Sequence, residues 1–472
     1  MPGKKLQLFL IVLLFLAARL INLTSLPIFN DEAIYLHWGS FFLRNLNFPE
    51  NLLLAIDGKQ TAVPLLYGSV QFLPLDTLTA GRLATVLFSL GTLAAGYILA
   101  KKKIIQAPPV LVGLFLTFCP LLLFFDRMAM PDSIVTAIYT MSIVVLISLL
   151  EKPSIKKGIL LGFIIALGWW FKSTVLLAMP IIFLSVGRRL FLPLTAFMIT
   201  FLVLISPLLL HPKYQNSPYK DTDRLIPAQL LENPQKIGQN FLLTGELMIT
   251  TTTPLVFFFF LIAVFISIKE RRNILLILAV LFPIFFESFF LKSITSRYIL
   301  LVIPLYLLLA IEGLLKLANI SKFLLFLTLS ATITLSLLLI FSPLDIYRYL
   351  KFRPHVAADF YDYFQNWTSG YGVKEAADFV INKSAAGETL VLVRDDSGNP
   401  EDGVWVYLHG KDKITFASLS KINQIPPARW MYFISRGPQF GILEGKLKEM
   451  KKFYKPFNSG NSEFIGVYQV GK

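Results

Sequence analysis

The sequence is poor in charged residues and nearly free of cysteine. Only 15% of its 472 residues are charged, and Cys119 is its single cysteine. Because soluble domains carry roughly a quarter charged residues, this composition argues against one. A single thiol excludes an intramolecular disulfide and a cysteine-built metal site, and a thiol inside an apolar run is typical of a small buried side chain. The sequence also has no glycine-rich phosphate loop and no repeat of fixed period.

Acidic residues are scarce relative to basic ones. The chain has 44 Lys and Arg against 29 Asp and Glu, a formal net charge of +15. A charge of this sign would suit a nucleic-acid partner, but the basic residues cluster at the ends of apolar segments, which is the pattern of membrane topology. We therefore expect no nucleic-acid partner.

Hydrophobic runs are what the sequence has in abundance. Hydrophobic residues make up 55% of it, its mean hydropathy is +0.65, and many runs reach the roughly 18 residues that cross a bilayer as a helix. We predict a polytopic α-helical membrane protein with about 11 transmembrane helices. The predicted spans lie near residues 6–25, 78–100, 107–125, 133–150, 158–171, 173–187, 190–210, 247–268, 274–291, 298–317 and 323–342.

Basic clusters set the predicted orientation. With the N-terminus inside, every cluster falls on the cytoplasmic side. The run after Lys4-Lys5 lacks a small-residue cleavage site, so we interpret it as a retained helix and not a signal peptide. "GILLGFIIALGWWFKSTVLLAMPIIFLSVG" could be one span carrying Lys172 or two short spans that turn there. Only the second keeps Arg188-Arg189 inside, so we predict a turn at Lys172, facing outward.

The predicted outer face holds three substantial pieces of chain. The loop 26–77 contains apolar stretches such as "SFFLRNLNF", which we predict as interfacial helices, and the loop 211–246 follows later. The tail is more polar and combines a predicted helix at 373–382 with strand-like runs, "TLVLV" and "WVYLHG". The expected domains are a transmembrane domain, 1–342, and a small extracytoplasmic α/β domain, 343–472.

Charged residues of both signs gather at this predicted outer surface. Charges at span ends are often anchors or helix caps, but several of both signs at one depth are what a site for an anionic lipid-linked substrate requires. Lys172 lies beside an apolar helix, so it should be paired or face water. Arg297 lies at a helix N-terminus, where the dipole favours anions, so it could anchor the helix at the surface or clamp a phosphate. The set is Asp31, Glu32, Asp126, Arg127, Asp132, Lys172 and Arg297.

Two short stretches allow both a structural and a functional interpretation. In "FFDRMAMPDS", Pro131 suits the first turn of a helix and Asp132 its positive end, so the stretch could be a capped turn alone. In "PIFNDEAIYLHWG", Asn30 or Asp31 could cap a helix that starts at Ala33. Alternatively, one carboxylate of the Asp31-Glu32 pair could be a general base, while the other orients the acceptor or a metal.

These motifs together resemble the C-type glycosyltransferases (GT-C fold), and most of all their protein mannosyltransferase and aminoarabinose transferase branch. The first span ends in Arg19, an Asp-Glu pair follows with a tyrosine three residues on, and "RMAMPDS", "GWWFKST" and "SRYILLVIP" come later in the same order as in that branch. "NWTSGYGVKEAADFV" is similar to the opening of the extracytoplasmic domain of bacterial members. Ser133 departs from the second carboxylate that many relatives carry.

The resemblance implies a sugar donor on a polyprenyl phosphate and an acceptor hydroxyl or amine that attacks with inversion. Asp31 would be the base and Asp132 would support the site, while Glu32, with Tyr35 and His37, would contact the acceptor. Lys172, Arg297, Tyr298 and Arg127 would hold the donor phosphate. No cofactor is needed for an activated donor, and no metal site is assigned, although a divalent ion is compatible with the pattern.

Other functions remain open at the level of sequence. A lipid-sugar transporter would place its charges near the midplane and not at span ends. A polyprenyl-linked glycan ligase or polymerase would be expected to depend on a late outer loop, and a scaffold without activity would use its tail to bind a partner. For an enzyme we expect the cytoplasmic membrane, with the C-terminal domain outside and membrane lipids as neighbours.

Overall fold

The computed structural model describes residues 3–44, 60–185, 187–211, 233–267, 271–317, 321–384, 387–425, 428–437, 443–457 and 463–471. Helices fill most of the chain up to about residue 384. The first ten are α1 Lys4–Leu20, α2 Asn30–Arg44, α3 Ala62–Ser69, α4 Thr77–Lys101, α5 Pro109–Thr117, α6 Pro120–Asp126, α7 Pro131–Glu151, α8 Ile155–Phe171, α9 Ala178–Leu184 and α10 Phe191–Leu209. The next nine are α11 Pro234–Thr252, α12 Pro254–Ser267, α13 Arg271–Phe290, α14 Ser296–Leu300, α15 Ile303–Lys316, α16 Ser321–Phe341, α17 Pro343–Leu350, α18 Pro354–Phe364 and α19 Val373–Ser384.

Several helices are long and apolar enough to cross a membrane. The described part of the chain contains 5 of them, or up to 7 if each of two bent pairs is one span. The helices α1 and α8, with 17 residues each, coincide with two further predicted spans. The chain is therefore a multi-pass membrane protein, while the number of about 11 spans stays a prediction.

Two of the predicted spans are broken. The span predicted at 107–125 consists of α5 and α6, which meet at an angle of 62°. The span predicted at 247–268 is not one continuous helix, because α11 ends at Thr252 and α12, which lies within the predicted bounds, leaves at 117° to it. Pro254 lacks the N–H that would continue the helix, and Thr253 takes a positive φ of 95°. The loop predicted at 211–246 therefore includes most of α11, and its residues 212–232 lie outside the described ones.

The predicted loop 26–77 does contain helices. In it, α2 carries the Asp31-Glu32 pair in its first turn, and α3 follows later. Gly39 and Gly68 let these two helices approach closely, since a Cβ on Gly39 would lie 2.5 Å from the backbone nitrogen of Gly68. The end of "SFFLRNLNF" lies outside the described residues.

Contacts divide the chain into two compact units. The first comprises Met1–Asn22, Asn45–Val63 and Leu83–Ile346, and the second comprises Leu23–Arg44, Pro64–Arg82 and Tyr347–Lys472. The tail boundary falls at Ile346, close to the predicted 342. The second unit also takes in α2, which the sequence assigned to the transmembrane part. The predicted domain limits remain a prediction.

The tail forms the predicted small α/β domain. Its strands are β1 Thr389–Val393, β2 Ile414–Ser418, β3 Trp430–Arg436, β4 Leu447–Tyr454 and β5 Phe464–Val470. They form one sheet in the order β2-β1-β3-β5-β4, in which β1 is parallel to β2 and β3, and β5 is antiparallel to β3 and β4. Leu390, Leu392 and Phe433 belong to the core beneath the sheet.

One strand prediction in this domain is wrong. "WVYLHG" belongs to a helix, α20 Glu401–Leu408, and not to a strand. The helix follows Pro400 and has Glu401 and Asp402 in its first turn, where carboxylates interact favourably with the helix dipole. A short apolar run does not distinguish a buried helix from a buried strand, so these flanking residues carry the decisive signal. "TLVLV" and the helix at 373–382 are confirmed as β1 and α19.

Candidate functional site

Asp31 and Glu32 lie in the first turn of α2. The Ala33 N–H donates to the Phe29 carbonyl over 3.0 Å, and Glu32 reaches back to accept the Phe29 N–H over 2.9 Å. This is the carboxylate half of a capping box. The helix thus begins at Asn30 and not at the predicted Ala33, and Glu32 accepts a capping hydrogen bond that the sequence did not indicate.

Glu32 is also one half of a buried ion pair. Arg82 binds it through two hydrogen bonds, Nε to Oε1 over 2.9 Å and Nη2 to Oε2 over 2.8 Å, and both side chains are fully buried. The other N–H groups of Arg82 donate to the carbonyls of Leu23, Leu26 and Pro27. All five donors of the guanidinium are used. The pair therefore fixes the chain that leads into α2.

Asp31 is the more exposed of the two carboxylates. It is half-buried, while Glu32 is completely buried. Tyr35 lies one turn further along α2, is buried, and stacks against Tyr67 with ring centroids 6.2 Å apart. Burial also raises the pKa of the Tyr407 hydroxyl, which is close enough to Glu32 and Arg82 for their charges to act on it. Of the acidic pair, Asp31 is therefore the more accessible carboxylate.

His37 has a partner that the sequence did not suggest. The structure pairs its Nδ1 with Asp402 in the first turn of α20. Its ring stacks on Trp405, with centroids 4.3 Å apart. His37 thereby joins α2 to α20 of the C-terminal part. Its predicted role in acceptor binding stays a prediction.

Asn399 holds the start of α2. Its backbone N–H donates to Oδ1 of Asn30 over 2.8 Å, and its side-chain amide donates to the carbonyls of Ile28 and Thr368 over 3.1 and 2.9 Å. The Asn30 N–H donates to the same Thr368 carbonyl over 3.0 Å. Asn399 is fully buried, and a Cβ on the neighbouring Gly398 would come within 1.8 Å of Asn30. The first turn of α2 is therefore built partly by the tail.

A second cluster of charges lies within the first unit. Nζ of Lys172 lies 2.7 Å from Oδ1 of Asp132 and 5.4 Å from the ring centre of Tyr298. Arg297 is close enough for its charge to act on Lys172. These four residues line one small cavity together with Thr136, whose buried hydroxyl lacks a hydrogen-bond partner within the described structure. The cluster carries one more positive than negative charge.

Local sequence explains how this cluster is positioned. Pro131 occupies the first turn of α7, where its missing N–H costs nothing, and Asp132 follows at the positive end of the helix. The helix α8 ends at Phe171 and the backbone of Lys172 is extended, with φ −163° and ψ 134°, so the helix breaks where the turn is predicted. Arg297 sits in α14, a helix of 5 residues. The predicted pairing of Lys172 is confirmed by Asp132.

Arg127 lies near this cluster in the sequence but has other contacts. It is buried, and its Nη2 donates to the backbone carbonyls of Ile21 and Asn22 after α1. Its neighbour Asp126 binds the buried Arg19, with Nε and Oδ2 2.8 Å apart. These two contacts join α1 to the α6–α7 hairpin. The predicted role of Arg127 in phosphate binding stays a prediction.

Metal ligands do not cluster in the described parts of the chain. No group of three or more His, Cys, Asp and Glu side chains there could hold a metal ion. Sequence reasoning also missed Arg82, Asn399 and Asp402, although each organises α2. Of these three residues only Arg82 carries a signal in the sequence. It is an isolated arginine near the start of the apolar span predicted at 78–100, and a charge in that position has to be paired.

The fold and the clusters define a class of protein. Over its whole length the chain superposes on the crystal structures of ArnT from Cupriavidus metallidurans, bound to undecaprenyl phosphate and in the apo state, with a TM-score of 0.59 in both cases. The match covers 98% of this chain and 98% or 97% of the ArnT chains at 12% sequence identity. The fold is therefore the GT-C fold with a small C-terminal sheet domain, as predicted.

Part of the sequence also matches the model of a known protein family. Residues 69–211 match the family model described as dolichyl-phosphate-mannose-protein mannosyltransferase. The matched segment contains Asp132 and Lys172 and ends before Arg297. A search of the curated proteins found no match. The predicted resemblance is confirmed: the chain is similar to the PMT and ArnT group of GT-C glycosyltransferases.

Proposed function

We propose that the protein is a glycosyltransferase. It moves a sugar from a polyprenyl-phosphate-linked donor to a hydroxyl or amine of a lipid, glycan or protein acceptor. The observation that carries this proposal is the cavity lined by Asp132, Lys172, Arg297 and Tyr298. It combines two cations and one buried anion with the Thr136 hydroxyl, which has no hydrogen-bond partner among the described residues.

In this proposal the cluster binds the donor phosphate. Lys172 and Arg297 donate charge-assisted hydrogen bonds to its oxygens, and Tyr298 and Thr136 can donate hydroxyl hydrogen bonds. Asp132 holds Lys172 in place, since the two side chains are already in contact. When the sugar departs, the phosphate gains negative charge, and preorganised cations stabilise that charge without moving. One of the two similar ArnT structures has undecaprenyl phosphate bound, which supports a ligand of this class.

Asp31 is the proposed base. The acceptor oxygen or nitrogen forms a bond to the anomeric carbon while the bond from that carbon to the phosphate oxygen breaks. The acceptor proton goes to the Asp31 carboxylate, and the polyprenyl phosphate leaves with the bonding electrons. Attack from the face opposite the phosphate inverts the anomeric carbon. Glu32 acts by holding the turn, because Arg82 and the Phe29 N–H occupy its oxygens.

The remaining predicted residues have supporting roles in this proposal. Tyr35 and His37 line α2 beyond Asp31 and would contact the acceptor, while Arg127 would steady the hairpin that carries Asp132. We place the reaction at the outer face of the cytoplasmic membrane, with the N-terminus inside and the C-terminal domain outside, following the basic clusters.

Donor binding can be tested with undecaprenyl phosphate and purified protein in lipid nanodiscs. Arg297→Gln should weaken binding about ten-fold, because it removes a charge-assisted hydrogen bond. The matched control is Lys156→Gln, an exposed cation in the first turn of α8, at the other end of that helix from Lys172. Equal affinity for Arg297→Gln and wild type would remove the phosphate site from the proposal.

Transfer itself can be tested in membranes that express equal amounts of each variant. A mixture of labelled polyprenyl-phosphate sugars supplies the donor, and Asp31→Asn should abolish label transfer while donor binding persists. Asp378→Asn, an exposed aspartate on α19, is the matched control and should transfer normally. Normal transfer by Asp31→Asn would return Asp31 to a structural role.

A further inference from the structure

The C-terminal sheet has a topological switch point between β1 and β3. The chain leaves β1 toward β2 on one side, and leaves β3 toward β4 and β5 on the other. Parallel strands with diverging connections open a crevice at their carboxyl ends, where α/β domains bind their ligands. Here the crevice lies beside Arg394, which follows β1, and Arg436, which ends β3.

Charged and aromatic side chains occupy this crevice. Arg394 binds Glu401 with Nη2 and Oε1 2.9 Å apart, and Arg436 binds Asp396 with Nη2 and Oδ2 2.5 Å apart. The guanidinium carbon of Arg436 also lies 4.1 Å from the ring centre of Trp367. We call Trp367, Arg394, Asp396, Glu401 and Arg436 the polar crevice.

Two buried polar atoms of the polar crevice have no hydrogen-bond partner among the described residues. Oε2 of Glu401 and Nη1 of Arg436 are buried and have no hydrogen-bond partner within the described structure. Glu401 is only 2% exposed, and a buried carboxylate oxygen without a partner is costly. Trp367 is 37% exposed and Asp396 is accessible as well. Open and unsatisfied polar groups lie side by side, which is the arrangement of a site that a ligand completes.

Charge balance indicates the ligand class. Two arginines face two carboxylates, so an anion would meet repulsion from Asp396 and Glu401, and a cation from the arginines. A neutral polyhydroxyl compound avoids both, since its hydroxyls can donate to carboxylates and accept from guanidinium groups. An exposed tryptophan adds an apolar face for a sugar ring. We infer that the polar crevice binds a neutral carbohydrate.

This inference concerns binding and does not depend on the proposed transfer reaction. The crevice also borders the residues that hold α2, because Thr368 follows Trp367 and Asn399 precedes Glu401 by two positions. A bound glycan would therefore lie next to the hydrogen bonds that fix the first turn of α2. A saccharide-bearing acceptor is the natural candidate for such a position.

Saturation-transfer NMR on the full chain in lipid nanodiscs tests the inference. The probes are the methyl glycosides of mannose, galactose, glucose, N-acetylglucosamine and arabinose. At least one should receive saturation from the wild-type protein. Trp367→Leu and Glu401→Gln should each weaken its binding about ten-fold, through loss of ring stacking or of a charged acceptor.

The same strand provides matched controls. At the opposite end of β3, Arg429 lies over Trp430 with its guanidinium carbon 6.0 Å from the ring centre. Arg429→Gln and Trp430→Leu should leave glycoside binding unchanged. Because Glu401 is buried, its substitution could unfold the domain, so thermal unfolding of each variant is compared first. Trp367 is partly exposed, so Trp367→Leu is the variant that should leave the fold intact.

Three outcomes would overturn the inference. The first is that none of the five glycosides receives saturation from the wild-type protein. The second is that the controls weaken binding as much as the crevice variants do. The third is that inorganic phosphate displaces the glycoside, which would make the crevice an anion site. Failure of the wild-type protein to bind undecaprenyl phosphate would count against the proposed function and would leave the carbohydrate inference untouched.

Discussion

The two charged clusters differ in how completely they are satisfied. In the Glu32–Arg82 pair both side chains are 0% exposed and every guanidinium N–H has an acceptor. In the Asp132–Lys172 pair the lysine is 28% exposed, and a buried hydroxyl in the same cavity lacks a partner in the described structure. The first arrangement is closed, whereas the second leaves donors available.

In the proposed function, this difference separates the residues that build the fold from the residues that bind the donor. A closed ion pair has no capacity left for a ligand, and breaking it leaves an uncompensated buried charge. A partly exposed lysine can keep its carboxylate partner and donate its remaining N–H groups to a phosphate. Adjacent carboxylates such as Asp31 and Glu32 can therefore have different roles, since Glu32 is completely buried in its ion pair and Asp31 is partly exposed.

Arg82→Met should show the largest effect. It leaves the Glu32 carboxylate buried without a cation and frees the carbonyls of Leu23, Leu26 and Pro27. Loss of one partner of a buried pair costs about 3–5 kcal/mol, so the free energy of unfolding in mixed micelles should fall by that amount. The double variant Glu32→Gln/Arg82→Met should recover part of the loss, because no charge remains buried. An equally unstable double variant would show that packing, and not charge, is the cause.

Much of the fold could be predicted because its signals are local. The α6–α7 hairpin is marked by Pro131, and the turn at Lys172 by a lysine between apolar runs. The break at Thr253 was missed although Pro254 marks it, because a hydropathy average hides a single residue. "WVYLHG" was misassigned because burial on all sides erases the periodicity that distinguishes helix from strand.

The candidate site could be predicted only where its residues carry their own signal. A charge beside an apolar span must be paired, which pointed to Lys172 and Arg297. The partners of α2 were not visible, because Arg82 lies 50 positions from Glu32, Asp402 lies 365 from His37 and Asn399 lies 369 from Asn30. An asparagine in a turn looks the same whether or not it holds a remote helix.

Asn399→Ala should have an intermediate effect on the same turn. It removes the two side-chain hydrogen bonds to Ile28 and Thr368, and although the Thr368 carbonyl keeps the Asn30 N–H, the Ile28 carbonyl loses its Asn399 donor, a kind of loss that costs about 1–3 kcal/mol. Amide hydrogen exchange should rise in the first turn of α2 and stay unchanged in α7. The matched control is Asn382→Ala, an exposed asparagine on α19, which should leave exchange in α2 unchanged. Unchanged exchange in Asn399→Ala would mean that the Asn399 side chain does not hold the turn.

Lys455 should make stability depend on pH. It is 3% exposed, its ammonium donates to the Ser369 carbonyl, and burial lowers its pKa from 10.5 to about 7. Above pH 7 the unfolded chain binds more protons than the folded one, so stability rises with pH until the unfolded lysine also titrates. Between pH 7 and pH 8 the gain is about 1 kcal/mol. Lys455→Met should lose this rise in unfolding measurements, and a variant with the same pH slope as wild type would contradict the assignment.

Lys172→Met should have the smallest effect on stability, although it makes the same kind of change as Arg82→Met. Lys172 is partly exposed, Asp132 stays at the favourable end of α7, and Arg297 remains nearby. The free energy of unfolding should therefore fall by less than it does in Arg82→Met, because Asp132 keeps a second cation in its cavity. Affinity for undecaprenyl phosphate should nevertheless fall about ten-fold. If Lys172→Met unfolds as readily as Arg82→Met, both pairs serve the fold, and the contrast on which the donor site rests disappears.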